Sequence, residues 1–330
     1  MLVLAKAMLS LMIGFILSIL FGLIFIPILK KSKVKQSVSI FLKEKHKKKE
    51  GTPTMGGLIF IIPTIVTILI LLVTNKIEFS SNLFLILFVF LAYGFLGFLD
   101  DYLIIKRHNN IGLTEIQKLF GQLVIALIFF FIYLKTGHDT VFDIHTLNIS
   151  IDLKWFFGIF ILFMLVASTN AVNLTDGLDG LAGGLSLIAF LAMGLISWNS
   201  TWIIGNSEIA IFCFILVGSL LGFLFFNTYP AKVFMGDTGS LALGATLAAI
   251  AILTSHEITF IIIMGVFIVE TLVSIIQVLS IMYTGKKIFL MTPLHHHFEK
   301  LGWDERDIVK TFWVVGLILA MMGVIFAVWV

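Results

Sequence analysis

Ten apolar runs, each about as long as a bilayer's hydrocarbon core is thick, divide this chain of 330 residues. They fall at 7–29, 56–74, 82–99, 119–135, 155–172, 181–198, 208–226, 240–254, 259–282 and 309–329. Charged residues make up 12% of the chain, about half the share of a soluble domain, and they gather between the runs. The pattern predicts an all-α polytopic membrane protein: ten transmembrane helices in a single integral domain over residues 1–330. The first run is too long for a signal-peptide core and has no small-residue cleavage site, so it reads as a retained helix. Cys213 is the one cysteine, which excludes an intrachain disulfide.

Residues 30–50, "KKSKVKQSVSIFLKEKHKKKE", hold nine lysines and belong on the cytoplasmic side. Ten crossings then put both termini outside. All but four of the 22 Lys and Arg residues fall on cytoplasmic loops; the exceptions are Lys6, Lys76, Lys135 and Lys154. The same parity collects every polar motif on that side: "EGTPTMGG" (50–57), "LDDYLIIKRHNN" (99–110), "NAVNLTDGLDGLAGG" (170–184), "NTYPAKVFMGDTGS" (227–240) and "TPLHHHFEKLGWDERD" (292–307). The outer loop near 136–154 alternates in "TVFDIHTLNISID" and reads as a small hairpin. A transporter keeps its polar groups near the bilayer midplane. Crowding at one interface is the geometry of an enzyme that joins a water-soluble substrate to a lipid.

The motifs supply carboxylates. Asp100 and Asp101 close the third run, where the helix dipole disfavours negative charge. Either Lys106 and Arg107 neutralise a solvated helix end, or the pair handles a divalent cation or phosphate. Asp176 and Asp179 share one face of a first turn if a helix begins there, with Asn173 or Thr175 as its cap. The alternative is plain capping chemistry beside a small-residue helix interface. Asp237, between Gly236 and Gly239, is either a bare N-cap or a metal ligand beside open amides that attract phosphate. Asn227 offers one more oxygen. Glu270 lies well inside an apolar run, at a cost of about 2.5–3.5 kcal/mol on insertion scales. It faces the bundle, or a kinked ninth helix exposes it, and it is left out of the expected site.

His295, His296 and His297 follow Pro293. Read as a loop, three adjacent side chains point apart, whereas zinc sites space their ligands and usually add cysteine or carboxylate. Mg²⁺ prefers oxygen. The stretch therefore reads as a loop facing phosphate and sugar, with imidazoles as hydrogen-bond donors.

Taken together, "EGTPTMGG", "DDY", "NAVNLTDGLDGLAGG", "FMGDTGSLALG" and "TPLHHHFE" resemble the signature blocks of the phospho-N-acetylmuramoyl-pentapeptide transferase family. It is one branch of the polyprenyl-phosphate N-acetylhexosamine-1-phosphate transferases. The resemblance runs in order from about residue 50 to residue 310. It implies transfer of phospho-MurNAc-pentapeptide from UDP-MurNAc-pentapeptide to undecaprenyl phosphate, giving UMP and lipid I, at the cytoplasmic face of the bacterial inner membrane. It implies Mg²⁺ as cofactor, with Asp237 as principal ligand and Asp101 supporting Asp100 or touching the metal. Asp100 is the expected activator of the lipid phosphate, and His296 is expected among the catalytic groups. Lys47, Lys118, Asn173, Asp176, Asp179, Asn227, His295 and His297 are the expected substrate contacts. Lys47 also reads as part of a topology signal that meets anionic lipid. Expected partners are the two substrates and membrane lipid, with no nucleic acid; the oligomeric state is left open, a homodimer included. The rivals are a sister enzyme taking UDP-GlcNAc, a secondary transporter built around Glu270, and a purely structural membrane protein.

Overall fold

The computed structural model describes residues 2–31, 51–107, 112–144, 149–199 and 207–329. In chain order these form α1 (Leu2–Lys31), α2 (Leu58–Val73), α3 (Ser81–Arg107), α4 (Glu115–Lys135), strands β1 (Val141–Ile144) and β2 (Ile149–Asp152), α5 (Trp155–Thr175), α6 (Leu181–Asn199), α7 (Ser207–Asn227), α8 (Gly236–Leu253), α9 (Glu257–Ile263), α10 (Gly265–Thr284), α11 (Leu294–Lys300) and α12 (Glu305–Trp329). Among the described residues nine helices are long and apolar enough to cross a membrane. The second expected span, α2, has only 16 residues, about 24 Å at 1.5 Å per residue. The expected ninth span is two helices. The break falls at Met264–Gly265, where glycine favours helix poorly and its bare Cα lets Leu319 of α12 close in. The alternation read in the outer loop does form a hairpin, pairing Val141 with Asp152 and Ile144 with Ile149.

α7 and α8 form the centre, buried on nearly every face, which is why neither shows an amphipathic stripe. Water-driven burial is absent inside a bilayer, so close backbone contact must hold such helices together. Small residues permit it. A Cβ on Gly218 of α7 would stand 2.0 Å from the Leu11 carbonyl oxygen of α1. Ser18 of α1 donates to the Ser219 carbonyl at 2.8 Å. α8 is similarly seated between α3 and α5: Ser168 donates to the Gly244 carbonyl at 2.6 Å, and a Cβ on Gly97 would lie 2.1 Å from the Asp237 carbonyl oxygen.

The bundle sorts its chemistry to one end. The C-terminal ends of α3, α5 and α7 meet the N-terminal ends of α4, α6, α8 and α12 there, joined by contacts among Lys118, Asp100, Asn173, Asp237, Gly180, Asn227, Asp179 and Glu305. The hairpin and the α8–α9 junction lie at the other end.

Candidate active site

Two distant segments are clasped to build the floor of the site. Phe234 N–H donates to the Pro53 carbonyl, Gly56 N–H to the Phe234 carbonyl and Gly57 N–H to the Met235 carbonyl, each at 2.8 Å. Gly57 is required by proximity, since a Cβ there would stand 2.4 Å from the Gly239 nitrogen. Gly236 is required by its backbone, at φ 74°, a left-handed conformation that only glycine adopts without cost.

α8 begins at this clasp with N–H groups that have no partner within the helix. Asp101, reaching over from α3, accepts them: Thr238 N–H at 3.0 Å, Thr238 Oγ1–H at 2.6 Å and Asp237 N–H at 3.3 Å. Negative charge at a helix N-terminus is favourable. Asp101 is only 3% exposed and both its oxygens accept protein donors. That geometry steadies the turn that carries Asp237.

Asp237 itself points outward. Its Oδ2 pairs with Lys118 Nζ from α4, and its Oδ1 accepts from Asn173 Nδ2 of α5 at 2.8 Å. Asn173 Nδ2 also meets Ser240 Oγ at 2.9 Å. Lys118 Nζ lies 3.6 Å from Asp100 Oδ2, while Leu113 N–H holds Asp100 Oδ1 at 2.8 Å. Asp100, Asp237, Lys118 and Asn173 thus form one cluster from four helices. Asp237 and Lys118 are its more accessible members, with side chains 20% and 22% exposed.

The cluster fits a hard cation. Two carboxylates and the Asn173 carbonyl supply oxygen donors, and an ammonium already lies against the carboxylates. No group of three or more His, Cys, Asp or Glu able to enclose a metal occurs among the described residues. A cation held here would draw its remaining ligands from water and substrate, as Mg²⁺ does when it is bound through one or two carboxylates and phosphate oxygens.

Residues 173–180 connect this cluster to the rest of the site, in a way the sequence did not show. No helix starts at Asp176; it caps the C-terminus of α5, Asn173 lies in the last turn, and Asp179 stands in the link to α6. Asp179 N–H donates to Glu305 Oε1 at 2.8 Å, and Asp179 Oδ2 accepts from Ala231 N–H at 2.9 Å. Asn227 accepts from Gly180 N–H at 3.1 Å and donates to the Val233 carbonyl at 3.0 Å. Asp179 and Asn227 are buried and lock two loops together. Asp176 is half-buried. Lys47 lies outside the described residues.

The histidines are helical, not a loop. α11 carries them, so their rings step round its axis by about 100° per residue. His296 Nδ1 meets Glu299 Oε2 at 2.6 Å. His297 Nδ1 accepts from Leu290 N–H at 3.1 Å. His295 is buried, with Nδ1 3.1 Å from Glu270 Oε1 and Nε2 against Gly177, where a Cβ would come within 2.2 Å of it. Burial holds this imidazole below its ordinary pKa, although Glu270 acts the other way. Glu270 faces the bundle, fully buried.

Comparison with known sequences decides the lineage. Residues 83–255 match glycosyl transferase family 4, and residues 49–61 match phospho-N-acetylmuramoyl-pentapeptide-transferase signature 1. The phospho-N-acetylmuramoyl-pentapeptide-transferase of Geobacillus thermodenitrificans is 49% identical over 319 residues, covering 96% of this chain and 97% of its own. That of Bacillus pumilus is 50% identical over 321 residues, covering 97% of each chain. That of Bacillus subtilis strain 168 is 49% identical, again covering 97% of each. The chain belongs to the phospho-N-acetylmuramoyl-pentapeptide-transferase family.

In this transferase the sequence blocks that looked like separate motifs are one surface. Thr238 and Glu305 were not singled out from sequence, and Glu270 was weighed but left out of the expected site. The signal for Glu270 was present, since a carboxylate deep in an apolar run needs a partner. Thr238 and Glu305 gave none, because a hydroxyl or carboxylate at a helix start is ordinary capping chemistry.

Proposed function

We propose that this multi-pass bacterial membrane transferase moves phospho-MurNAc-pentapeptide from UDP-MurNAc-pentapeptide to undecaprenyl phosphate. A lipid phosphate oxygen attacks the sugar-linked phosphorus, the bond from that phosphorus to the bridging oxygen breaks, and UMP leaves as lipid I forms. The carrying observation is the Asp100–Lys118–Asp237–Asn173 cluster at the bundle end where the helix termini converge. Such transfer relies on positioning and charge cancellation more than on covalent chemistry.

Asp100 is assigned to the lipid phosphate, holding or taking its proton. Lys118 draws the two anionic substrates toward the cluster. Asp237, with Asn173, is assigned to hold Mg²⁺, which when bound neutralises the diphosphate and the departing UMP. Asp101 keeps the Asp237 turn in place. Asp176 and the α11 histidines are assigned to the nucleotide-sugar side, and the family resemblance assigns Lys47 to contact with the same substrate. With α2 as one crossing and α9 plus α10 as another, the single domain crosses ten times. The lysines of residues 30–49 then set the cluster end in the cytoplasm and both termini outside.

Purified protein given UDP-MurNAc-pentapeptide, undecaprenyl phosphate and Mg²⁺ is expected to release UMP and form a lipid-linked product in equal amounts. With UDP-GlcNAc in its place, no product is expected. Product from UDP-GlcNAc alone would overturn the substrate assignment. A solute flux into vesicles without any lipid product would overturn the reaction.

A further inference from the structure

Glu270 enters neither the cluster nor its immediate contacts, yet it is the most elaborately bonded carboxylate near the histidines. From the interior of α10 it accepts Leu294 N–H on Oε2 at 2.5 Å and His295 N–H on Oε1 at 3.2 Å. The same Oε1 takes His295 Nδ1 at 3.1 Å. One fully buried side chain therefore seats the first turn of α11 and fixes the ring plane of its second residue. A carboxylate accepts and does not donate, so the proton on Nδ1 is assigned by its partner. Nε2 is then the lone-pair nitrogen of a neutral ring.

That Nε2 is buried and has no hydrogen-bond partner. It lies under Gly177, four residues beyond Asn173, which holds Asp237. The chain has removed the side chain that would otherwise block this nitrogen. Buried polar nitrogens rarely go without a partner, and the element lying against this one is the turn at Asp176–Gly177.

We propose that Glu270 is a positioning residue for the reaction: it holds α11 and the His295 ring so that Nε2 is presented, as an acceptor, to a hydroxyl or N–H of the nucleotide sugar. The proposal rests on the reaction given above. Of the three, His295 has the buried Nε2 without a protein partner, while the Nδ1 atoms of His296 and His297 lie on Glu299 and the Leu290 amide. The carboxylate–imidazole arrangement works as second-shell carboxylates do for ligating histidines, by fixing tautomer and orientation.

The test uses the full-length protein with ¹⁵N-labelled histidine, and a His295→Asn protein to identify the His295 signals. The expected spectrum has a protonated Nδ1 and a bare Nε2 at His295. Glu270→Gln is expected to mix the tautomers and to lower kcat about ten- to a hundredfold, the scale of losing such a partner. KM for undecaprenyl phosphate should stay nearly constant. Glu270→Ala should lose more activity than Glu270→Gln, which can still accept one amide; Glu270→Gln decides the matter if the alanine protein does not fold. A wild-type spectrum with the proton on Nε2, or wild-type kcat in Glu270→Gln, would overturn the proposal. If the wild-type protein forms no lipid product, the reaction above fails while the spectrum still decides the role of Glu270.

Discussion

Lys118 on α4 is ion-paired with Asp237 at the first turn of α8 and stands 3.6 Å from Asp100 on α3. One ammonium thus lies against two carboxylates from two other helices, at the place where the proposed reaction brings two anionic substrates together. Removing that charge should weaken the approach of both. Lys118→Ala is expected to lower turnover at least about a hundredfold, the scale of losing a charge-stabilising group. Added salt should slow the wild-type enzyme more than the variant. Steady-state UMP release at two ionic strengths checks both.

The two carboxylates that meet Lys118 and the one that holds the start of α8 should separate experimentally. Asp100→Asn and Asp237→Asn are expected to cut turnover at least about a hundredfold while unfolding temperature stays close to wild type. Asp101→Asn removes an acceptor for three donors, and hydrogen bonds to a buried charge are worth about 1.5–3 kcal/mol each. It should lower both turnover and unfolding temperature. Equal thermal stability of all three proteins would remove the distinction.

EDTA is expected to stop turnover, and Mg²⁺ or Mn²⁺ to restore it. The active protein should carry no stoichiometric zinc, because the three adjacent histidine rings step round α11 and point apart. Elemental analysis of active protein, beside the metal-rescue assay, checks this.

Gly97→Ala tests the seating of α8. Its Cβ would lie 2.1 Å from the Asp237 carbonyl oxygen, and neither backbone yields without parting α3 from α8. The expected result is a lower unfolding temperature and at least a tenfold loss of turnover. Normal activity would show that Asp237 tolerates a displaced α3.

Much of this was legible in the sequence because bilayers impose simple rules. Apolar length located the spans, and lysine asymmetry implied that one end holds the motifs. Asp100, Asp237, Lys118 and Asn173 could be nominated singly, and the fold brings them together. What stayed hidden depended on side-chain direction. Asp176 and Asp179 have the spacing of one helical face, yet they straddle a helix end. The run of three histidines carried no periodic signal to separate a seven-residue helix from a loop. The α9–α10 break was invisible because Met264 and Gly265 are as apolar as their neighbours, so hydropathy ran through it.

The bond between Asp101 and Thr238 spans 137 positions of sequence, and that separation bears on how the protein is made. A membrane chain is inserted from its N-terminus, so α3 enters the bilayer well before α8 is synthesised. Until the amides at the start of α8 arrive, a carboxylate that finishes 3% exposed has nothing to hold it out of water. α3 can cross the membrane early but cannot take its final seat until more than two-thirds of the polypeptide has been translated. The proposed catalytic end is therefore completed as a late event in biogenesis. A chain truncated before residue 236 would insert most of its helices and still lack the start of α8 on which that site is built.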